Sequence, residues 1–146
     1  MIIFTAITLV TFLLMECVTW LTHKYVMHGL MWYFHEDHHQ PRYRQVFEKN
    51  DIFFLIFALP SVLLMYLGIQ EVINFKFFIG LGIMAYGMAY FLIHDVLIHQ
   101  RFKWFQQTNN PYLRGLRKAH KMHHKHLTKE DGECFGMLFV PFKYFR

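Results

Sequence analysis

Ten of the 11 histidines in this 146-residue chain fall into four compact clusters. Two clusters are pairs with four residues between the histidines, and two are triads with the spacing i, i+3 and i+4. In chain order the clusters are His23 and His28; His35, His38 and His39; His94 and His99; and His120, His123 and His124. Imidazole is the commonest side chain to bind zinc, iron and copper, so these repeated clusters predict a metal centre. His126 lies outside the pattern and is expected to face solvent.

The spacing within the clusters indicates how many ions are bound. On a helix of about 3.6 residues per turn, positions i, i+3 and i+4 share a face, whereas adjacent residues diverge by about 100°. Neighbours such as His38 and His39 should therefore bind two adjacent ions rather than one ion together. Each pair turns by about 140° on a regular helix, which would also divide it between ions unless a π-bulge intervenes. Ten ligands for two ions give about five nitrogens each, which exceeds tetrahedral zinc and fits octahedral iron with one position open for oxygen.

The elements that must position these histidines are membrane helices. The chain is 55% hydrophobic and 19% aromatic, and its apolar residues are concentrated in three blocks. The blocks are Ile2 to Leu21, Ile52 to Ile69 and Phe77 to Ile93, each near the roughly 17 to 25 residues that a spanning helix needs. Gln70 to Asn74 is typical of a polar turn that joins the second and third blocks into a hairpin. A soluble core is the alternative, but such cores rarely give several uninterrupted apolar runs of this length.

The positive charges predict the orientation in the membrane. The chain has 15 Lys and Arg, and only Lys76 among them belongs to the connection between the second and third blocks. By the positive-inside rule, residues 22–51 and 94–146 face the cytoplasm, which brings all four histidine clusters to one side. Nucleic-acid binding would explain the net charge of +5 but not the apolar blocks, and it is excluded. The sequence thus predicts an all-α integral membrane protein with about three transmembrane helices, a fourth being left open, and a histidine-rich helical di-metal site on the cytoplasmic side.

Three carboxylates near the clusters are candidates to support the metal ligands, because a metal-bound histidine usually donates its other ring N–H to an acceptor. Asp37 and Asp95 are next to histidines in sequence. Glu16 lies about two turns before His23, at a depth where an ionisable group is costly and usually functional. For Glu16, a neutral carboxylic acid in the helix bundle is the alternative. Oxygen chemistry at a metal needs no acid or base on the substrate carbon, so no catalytic residue is expected beyond the metal ligands.

Other motifs suggest alternative functions. Residues 35–39 satisfy His-Glu-x-x-His, the zinc metalloprotease signature, in which Glu36 would be the base of an intramembrane protease. That site would leave at least six clustered histidines unused. Glu36 and His39 also form the Glu-x-x-His of soluble di-iron bundles, but the sequence has no second copy of it. A histidine-lined metal transporter would place its ligands at the bilayer midplane rather than at the ends of apolar blocks.

The residues around the histidines carry a family resemblance. The matching segments are Thr-His-Lys-Tyr-Val-Met-His-Gly at 22–29, His-Glu-Asp-His-His at 35–39, His-Asp-Val-Leu-Ile-His-Gln-Arg at 94–101, Ala-His-Lys-Met-His-His at 119–124 and Cys-Phe-Gly at 134–136. In these segments, and over about residues 15–142, the chain resembles the bacterial non-haem β-carotene hydroxylases of the fatty acid hydroxylase/sterol desaturase superfamily.

The resemblance implies a single fatty-acid-hydroxylase-like membrane domain over residues 1–146. The implied activity is hydroxylation of carbon 3 of β-ionone rings, from β-carotene through β-cryptoxanthin to zeaxanthin, with molecular oxygen as co-substrate. All ten clustered histidines would bind two iron ions, for which zinc can substitute in purified protein. The implied partners are a membrane-dissolved carotenoid, the lipid bilayer and a ferredoxin-type electron donor, and the implied location is the bacterial inner membrane. A fatty acid or lipid hydroxylase or desaturase of the same superfamily is the alternative.

Overall fold

The computed structural model describes residues 1–40, 47–102, 104 and 107–146, and within these ranges every regular element is helical. The α-helices are α1 (Ile2–Leu21), α2 (Trp32–His39), α3 (Ile52–Gly68), α4 (Phe75–Phe91) and α5 (Pro111–His123). Helices α1 and α4 continue directly into π-helical segments, at Thr22–Leu30 and Leu92–Ile98 respectively. Short 3-10 turns lie at Lys49–Asp51 and Phe142–Phe145. The predicted all-α fold is confirmed.

Among the described residues, three helices are long and apolar enough to cross a membrane, which confirms the predicted number of spans. Counted with their π-helical or 3-10 extensions, they are Ile2–Leu30, Lys49–Gly68 and Phe75–Ile98. Apolar runs in lipid form helices because only hydrogen bonds within the segment satisfy the backbone there. Large apolar side chains are exposed on all three helices, as expected of surfaces that face lipid; examples are Leu13, Leu59 and Met88.

Helix α4 packs against both α1 and α3, and small residues let the helix backbones approach one another. A Cβ atom added at Gly80 would lie 2.6 Å from the carbonyl oxygen of Ser61 on α3. A Cβ atom added at Gly82 would lie 2.7 Å from the Cβ of Thr11 on α1. The Ser61 hydroxyl also donates to the Gly80 carbonyl at 2.7 Å. The three spanning helices therefore form a bundle with α4 in the middle.

Side-chain caps mark where α4 and α5 begin. Asn74, at the end of the predicted turn between α3 and α4, accepts the backbone N–H of Lys76 at 3.0 Å. Asn110 accepts from the first turn of α5, where Pro111 occupies the first helical position. Beyond α5, residues 126–139 lack regular secondary structure and contact the end of α1 and the segment that follows it. We call residues 126–139 the C-terminal strap.

Candidate metal centre

π-helical turns present the two histidine pairs. In a π-helix each N–H bonds to the carbonyl five residues earlier, so residue i+5 lies near residue i on the helix surface. The N–H of His99 donates to the carbonyl of His94 at 2.8 Å in this pattern. The π-helical segment after α1 contains both His23 and His28. Both members of each pair are thereby turned toward the same side, which is the exception that the sequence analysis had left open.

The two triads lie at the C-terminal ends of α2 and α5, where adjacent histidines diverge as the helical period requires. The Nε2 of His38 lies 3.0 Å from that of His94. The Nε2 of His39 instead lies 3.2 Å from those of His28 and His35. Neighbours in sequence therefore belong to different sets of ring nitrogens.

Nine of the ten clustered histidines form two groups, of five and four members, and His124 lies beside both. In the first histidine group, one nitrogen of each member lies within 4.8 Å of one nitrogen of every other member; the members are His23, His28, His35, His39 and His123. In the second histidine group, His38, His94, His99 and His120 meet in the same way. The ring of His124 stacks on His39 of the first group at 4.4 Å and lies 4.7, 4.7 and 4.5 Å from those of His38, His99 and His120, so it can complete the second group as a fifth member.

The inner ring nitrogens of both groups are close enough to share an ion. Six pairs of Nε2 atoms lie 2.9 to 3.2 Å apart. Two metal–nitrogen bonds of about 2.1 Å at a right angle put their nitrogens about 3.0 Å apart. The Nε2 of His124 is buried and has no hydrogen-bond partner among the residues that the structure describes. An unsatisfied buried nitrogen beside such clusters fits a site built for metal ions.

The outer ring nitrogens of the first group bond mainly to the C-terminal strap. Four members donate Nδ1–H to backbone carbonyl oxygens: His23 to Phe135 at 3.0 Å, His28 to Lys129 at 3.3 Å, His39 to His126 at 2.8 Å and His123 to Glu133 at 2.7 Å. The fifth member, His35, donates to the side-chain oxygen of Asn50 at 2.7 Å. Because a carbonyl oxygen can only accept, Nδ1 carries the proton and Nε2 presents its lone pair inward.

Carboxylates support the second group. Nδ1 of His38 lies 2.7 Å from a carboxylate oxygen of Glu48. His94 makes a longer contact of 3.4 Å with Asp95. Arg101 donates to the other oxygen of Asp95 at 2.6 Å and balances part of the negative charge.

Two of the three carboxylates predicted from the sequence are connected to histidines, Asp95 directly and Asp37 indirectly. Asp95 contacts the ring of His94, as just described. Asp37 accepts the backbone N–H of Lys49 at 2.8 Å and so holds the turn that carries Asn50. Asp37 therefore affects His35 indirectly, through the position of Asn50 in that turn.

Glu16, the third carboxylate, bonds to the strap and to α4. One of its oxygens accepts three successive backbone N–H groups, of residues 137–139, at 2.8 to 3.0 Å. The other accepts the hydroxyl of Tyr86 at 2.6 Å. The strap residue Phe135, whose carbonyl accepts from His23, lies just before the three residues that Glu16 binds. Glu16 thus anchors the segment that orients the first group.

Several groups that contact the rings were not identified from the sequence. For Glu48 and Asn50, the sequence offered only one weak indication of a role at the site: they are polar residues directly before an apolar block. For the strap carbonyls it offered none, since every residue has a carbonyl. The side chain of His126 lies outside both groups, although its carbonyl accepts from His39. Glu36 also belongs to neither group.

Burial lowers the pKa of three of these imidazoles and keeps them neutral near pH 7. It lowers the pKa of His35 to about 2, that of His123 to about 3 and that of His39 to about 4. Neutral imidazole is the form that binds metal. Burial also raises the pKa of Glu48 to about 7, and a cation on His38 would favour its ionised form.

The two groups differ in access. The ring of Phe135 covers the first group, with its centroid 5.1 to 5.5 Å from those of His23, His28 and His123. A cavity of about 320 Å³ reaches mainly the second group: its wall contains His38, His99, His120 and His124, and one member of the first group, His39. The site is therefore covered by an aromatic ring on one side and open on the other.

Comparisons with known proteins place this architecture in a family. The chain matches the fatty acid hydroxylase family over residues 8–144. It is 43% identical over 135 residues to the β-carotene hydroxylase of Pantoea ananas, covering 92% of this chain and 76% of that protein. It is 37% identical over 140 residues to the β-carotene hydroxylase of Pseudescherichia vulneris, covering 96% of this chain and 78% of that protein.

A plant relative shows the same similarity over a shorter share of its length. The chloroplastic β-carotene 3-hydroxylase 2 of Arabidopsis thaliana is 39% identical over 122 residues, which are 82% of this chain and 39% of that protein. No solved structure matches the chain. The family match extends over nearly the whole length and includes every histidine of the two groups, and the chain belongs to the fatty acid hydroxylase family.

Proposed function

We propose that this protein hydroxylates carbon 3 of the β-ionone rings of carotenoids, converting β-carotene through β-cryptoxanthin to zeaxanthin. The observation that carries the proposal is the pair of histidine groups, of five and four members with His124 beside them, in a chain 37 to 43% identical to two bacterial β-carotene hydroxylases. The similarity to a plant β-carotene 3-hydroxylase supports carbon 3 as the position. The enzyme is, on this proposal, a non-haem di-iron monooxygenase formed by a single domain over residues 1–146.

The ten histidines are proposed as the ligands of two iron ions, five for each ion. Five nitrogens exceed the four-coordinate geometry of zinc in proteins and suit an octahedral ion with one open position. When bound, the two irons supply the activation of molecular oxygen that replaces a C–H hydrogen by a hydroxyl group. Zinc can replace iron in purified protein because it binds nitrogen sites more tightly than ferrous iron.

Residues of the chain orient and shield this centre. Hydrogen bonds from Nδ1 fix the five rings of the first group and that of His38, and the side chain of Phe135 excludes water from the first group. Among the supporting carboxylates, Asp95 acts directly on His94, whereas Glu16 and Asp37 act through the strap and the turn that they anchor. The cavity of about 320 Å³ beside the second group has the size of a small-ligand site, and we assign the β-ionone ring to it.

The substrate is expected to reach the site from the bilayer, because a long apolar polyene is dissolved there and the spanning helices expose apolar side chains. All basic residues except Lys76 follow the first or the third apolar block. The positive-inside rule therefore supports a site on the cytoplasmic face of the bacterial inner membrane. A ferredoxin-type protein is proposed to supply the electrons.

Expression in a bacterium that accumulates β-carotene tests the activity. β-Cryptoxanthin should appear first and then give way to zeaxanthin, because the two rings are hydroxylated one at a time. The pigments are separated chromatographically, and a His38→Ala variant provides the inactive control. If β-carotene stays unchanged while fatty acids or other lipids gain hydroxyl groups or double bonds, the protein is a lipid hydroxylase or desaturase of the same superfamily.

Metal analysis tests the cofactor separately. Protein produced with adequate iron and purified without oxygen should contain about two iron ions per chain, since ten histidines exceed the needs of two tetrahedral zinc ions. A single stoichiometric zinc ion under these conditions would contradict the di-iron proposal.

A further inference from the structure

One turn holds a member of each histidine group in the same manner. Asn50, in the turn at Lys49–Asp51, accepts Nδ1–H of His35 from the first group at 2.7 Å. Glu48, directly before this turn, lies at the same 2.7 Å from Nδ1 of His38 in the second group. The two acceptors match in position and distance, but Glu48 can carry a negative charge and Asn50 is neutral.

The remaining contacts extend this difference. The other four outer nitrogens of the first group bond to neutral backbone carbonyls of the strap. Near the second group, Asp95 contacts His94, while Arg101 binds Asp95 at 2.6 Å and Asp51 at 2.8 Å. With Glu48, three carboxylates lie here against the guanidinium of Arg101 and the ammonium of Lys121, which lines the adjoining cavity, whereas the hydrogen-bond acceptors of the first group are neutral.

A charged acceptor makes the imidazole that it holds a stronger ligand, because it stabilises the positive charge that the ring acquires on binding a cation. We propose that the two metal positions are unequal: the second histidine group binds its ion more tightly than the first, and Glu48 is the positioning residue that sets the difference. The inference rests on the two-ion site of the proposed function and adds which of the two positions has the higher metal affinity.

The backbone of the turn is anchored mainly by Asp51 and Asp37, and the Glu48 side chain also accepts the backbone N–H of Asp51 in a capping box. The N–H of Glu48 donates to Asp51 at 3.0 Å, and the N–H of Lys49 donates to Asp37 at 2.8 Å. Both an acid and an amide side chain offer an oxygen that accepts an N–H, so exchanging one for the other changes the charge beside the ring while the turn can keep its hydrogen bonds.

Titration of the metal-free, detergent-solubilised protein with Co²⁺ tests the inference, because the visible absorption of histidine-bound Co²⁺ reports occupancy. The wild-type protein should bind Co²⁺ in two resolved steps. Glu48→Gln should weaken the tighter step about 10- to 100-fold, the usual effect of losing such a partner, and leave the other step unchanged. His28→Ala and His94→Ala each remove a ligand from one group and so assign the steps.

Asn50→Asp is the matched variant, since it adds a carboxylate behind the first group. It should strengthen the weaker step, and the double variant with Glu48→Gln should reverse the order of filling. Circular dichroism of the metal-free protein shows whether Glu48→Gln folds. If it does not, the Co²⁺ affinities of Asn50→Asp test the same inference.

Two equal steps in the wild-type protein, or an equal loss in both steps for Glu48→Gln, overturn the inference. Co²⁺ binding does not depend on hydroxylation. A protein that fills in two unequal steps but leaves β-carotene unchanged therefore disproves the proposed substrate and retains the unequal positions.

Discussion

The spanning helices and the histidine centre are stabilised in opposite ways. Helices α1, α3 and α4 expose large apolar side chains and contact one another at small residues such as Gly80 and Gly82. Around the histidines, many buried side chains are polar rings, and six of them donate a directed hydrogen bond from Nδ1 at 2.7 to 3.3 Å. Close packing tolerates many apolar sequences, whereas a buried polar ring depends on one particular partner. The centre should therefore be far more sensitive to single substitutions than the spanning helices.

Glu16 is where the two regions meet. It is a buried carboxylate on a spanning helix, and its partners are strap N–H groups and the hydroxyl of Tyr86 on α4. A membrane helix thus positions the strap, and the strap orients the first histidine group.

The largest effect is expected inside the centre. Replacement of His38, His39, His123 or His124 by alanine should abolish hydroxylation with loss of metal, because the first three belong to the two groups and the ring of His124 lies against both. Carotenoid products and metal content are measured together. His126→Ala is the control and should keep most hydroxylation activity. An equal loss of activity in this variant would contradict the assignment of His126 as a residue that does not bind metal.

Glu16→Ala should be the next most damaging change. It leaves three strap N–H groups without their acceptor, at a cost of about 3 kcal/mol or more in the free energy of unfolding. Thermal unfolding in detergent and limited proteolysis of the strap measure the effect. Tyr86→Phe removes only one donor and should cost about 1 kcal/mol. Equal effects of the two substitutions would show that Glu16 does not hold the strap.

Acid should destabilise the metal-free protein through the histidines. The pKa of His39 is lowered from 6.5 to about 4, so the unfolded chain binds the proton more readily and stability is lost as the pH falls from 6.5 toward 4. At pH 5 this residue alone costs about 2 kcal/mol relative to neutral pH. Thermal midpoints at pH 7 and pH 5 measure the loss, and His39→Gln should reduce it. A midpoint that does not change between these pH values would contradict the burial of neutral rings.

A change in helix packing should matter less. The added methyl group of Gly82→Ala would meet Thr11 and the carbonyl of Thr8 at 2.7 and 2.8 Å, which should cost about 1 to 3 kcal/mol. Gly87 has open space at the same position, so Gly87→Ala should be neutral or slightly stabilising. Thermal unfolding of both variants separates tight packing from helix propensity; the same result for both would argue against a close contact of α1 with α4.

The smallest effect is expected for Glu36→Gln. Glu36 belongs to neither histidine group, so this variant should keep at least part of its hydroxylation activity. In a metalloprotease the same change would remove the general base and leave an inactive protein with its metal. Pigment analysis with metal analysis distinguishes the two outcomes.

The sequence by itself determined the membrane helices and the clustering of the histidines. Both depend on local periodicity: an apolar run of sufficient length forms a spanning helix, and the spacing i, i+3 and i+4 places rings on one helix face. The divergence of adjacent histidines such as His38 and His39 follows from the same period.

Only the tertiary structure decided how the rings are distributed and held. The π-helical turns put both members of each pair into one group, which a regular period does not predict. The acceptors of His23 and His28 are backbone carbonyls more than 100 residues away in the chain, at Phe135 and Lys129. A carbonyl is present at every position, so residue types carry no signal for such a bond. The three strap N–H groups at Glu16 are hidden for the same reason, and chain folding alone brings them together.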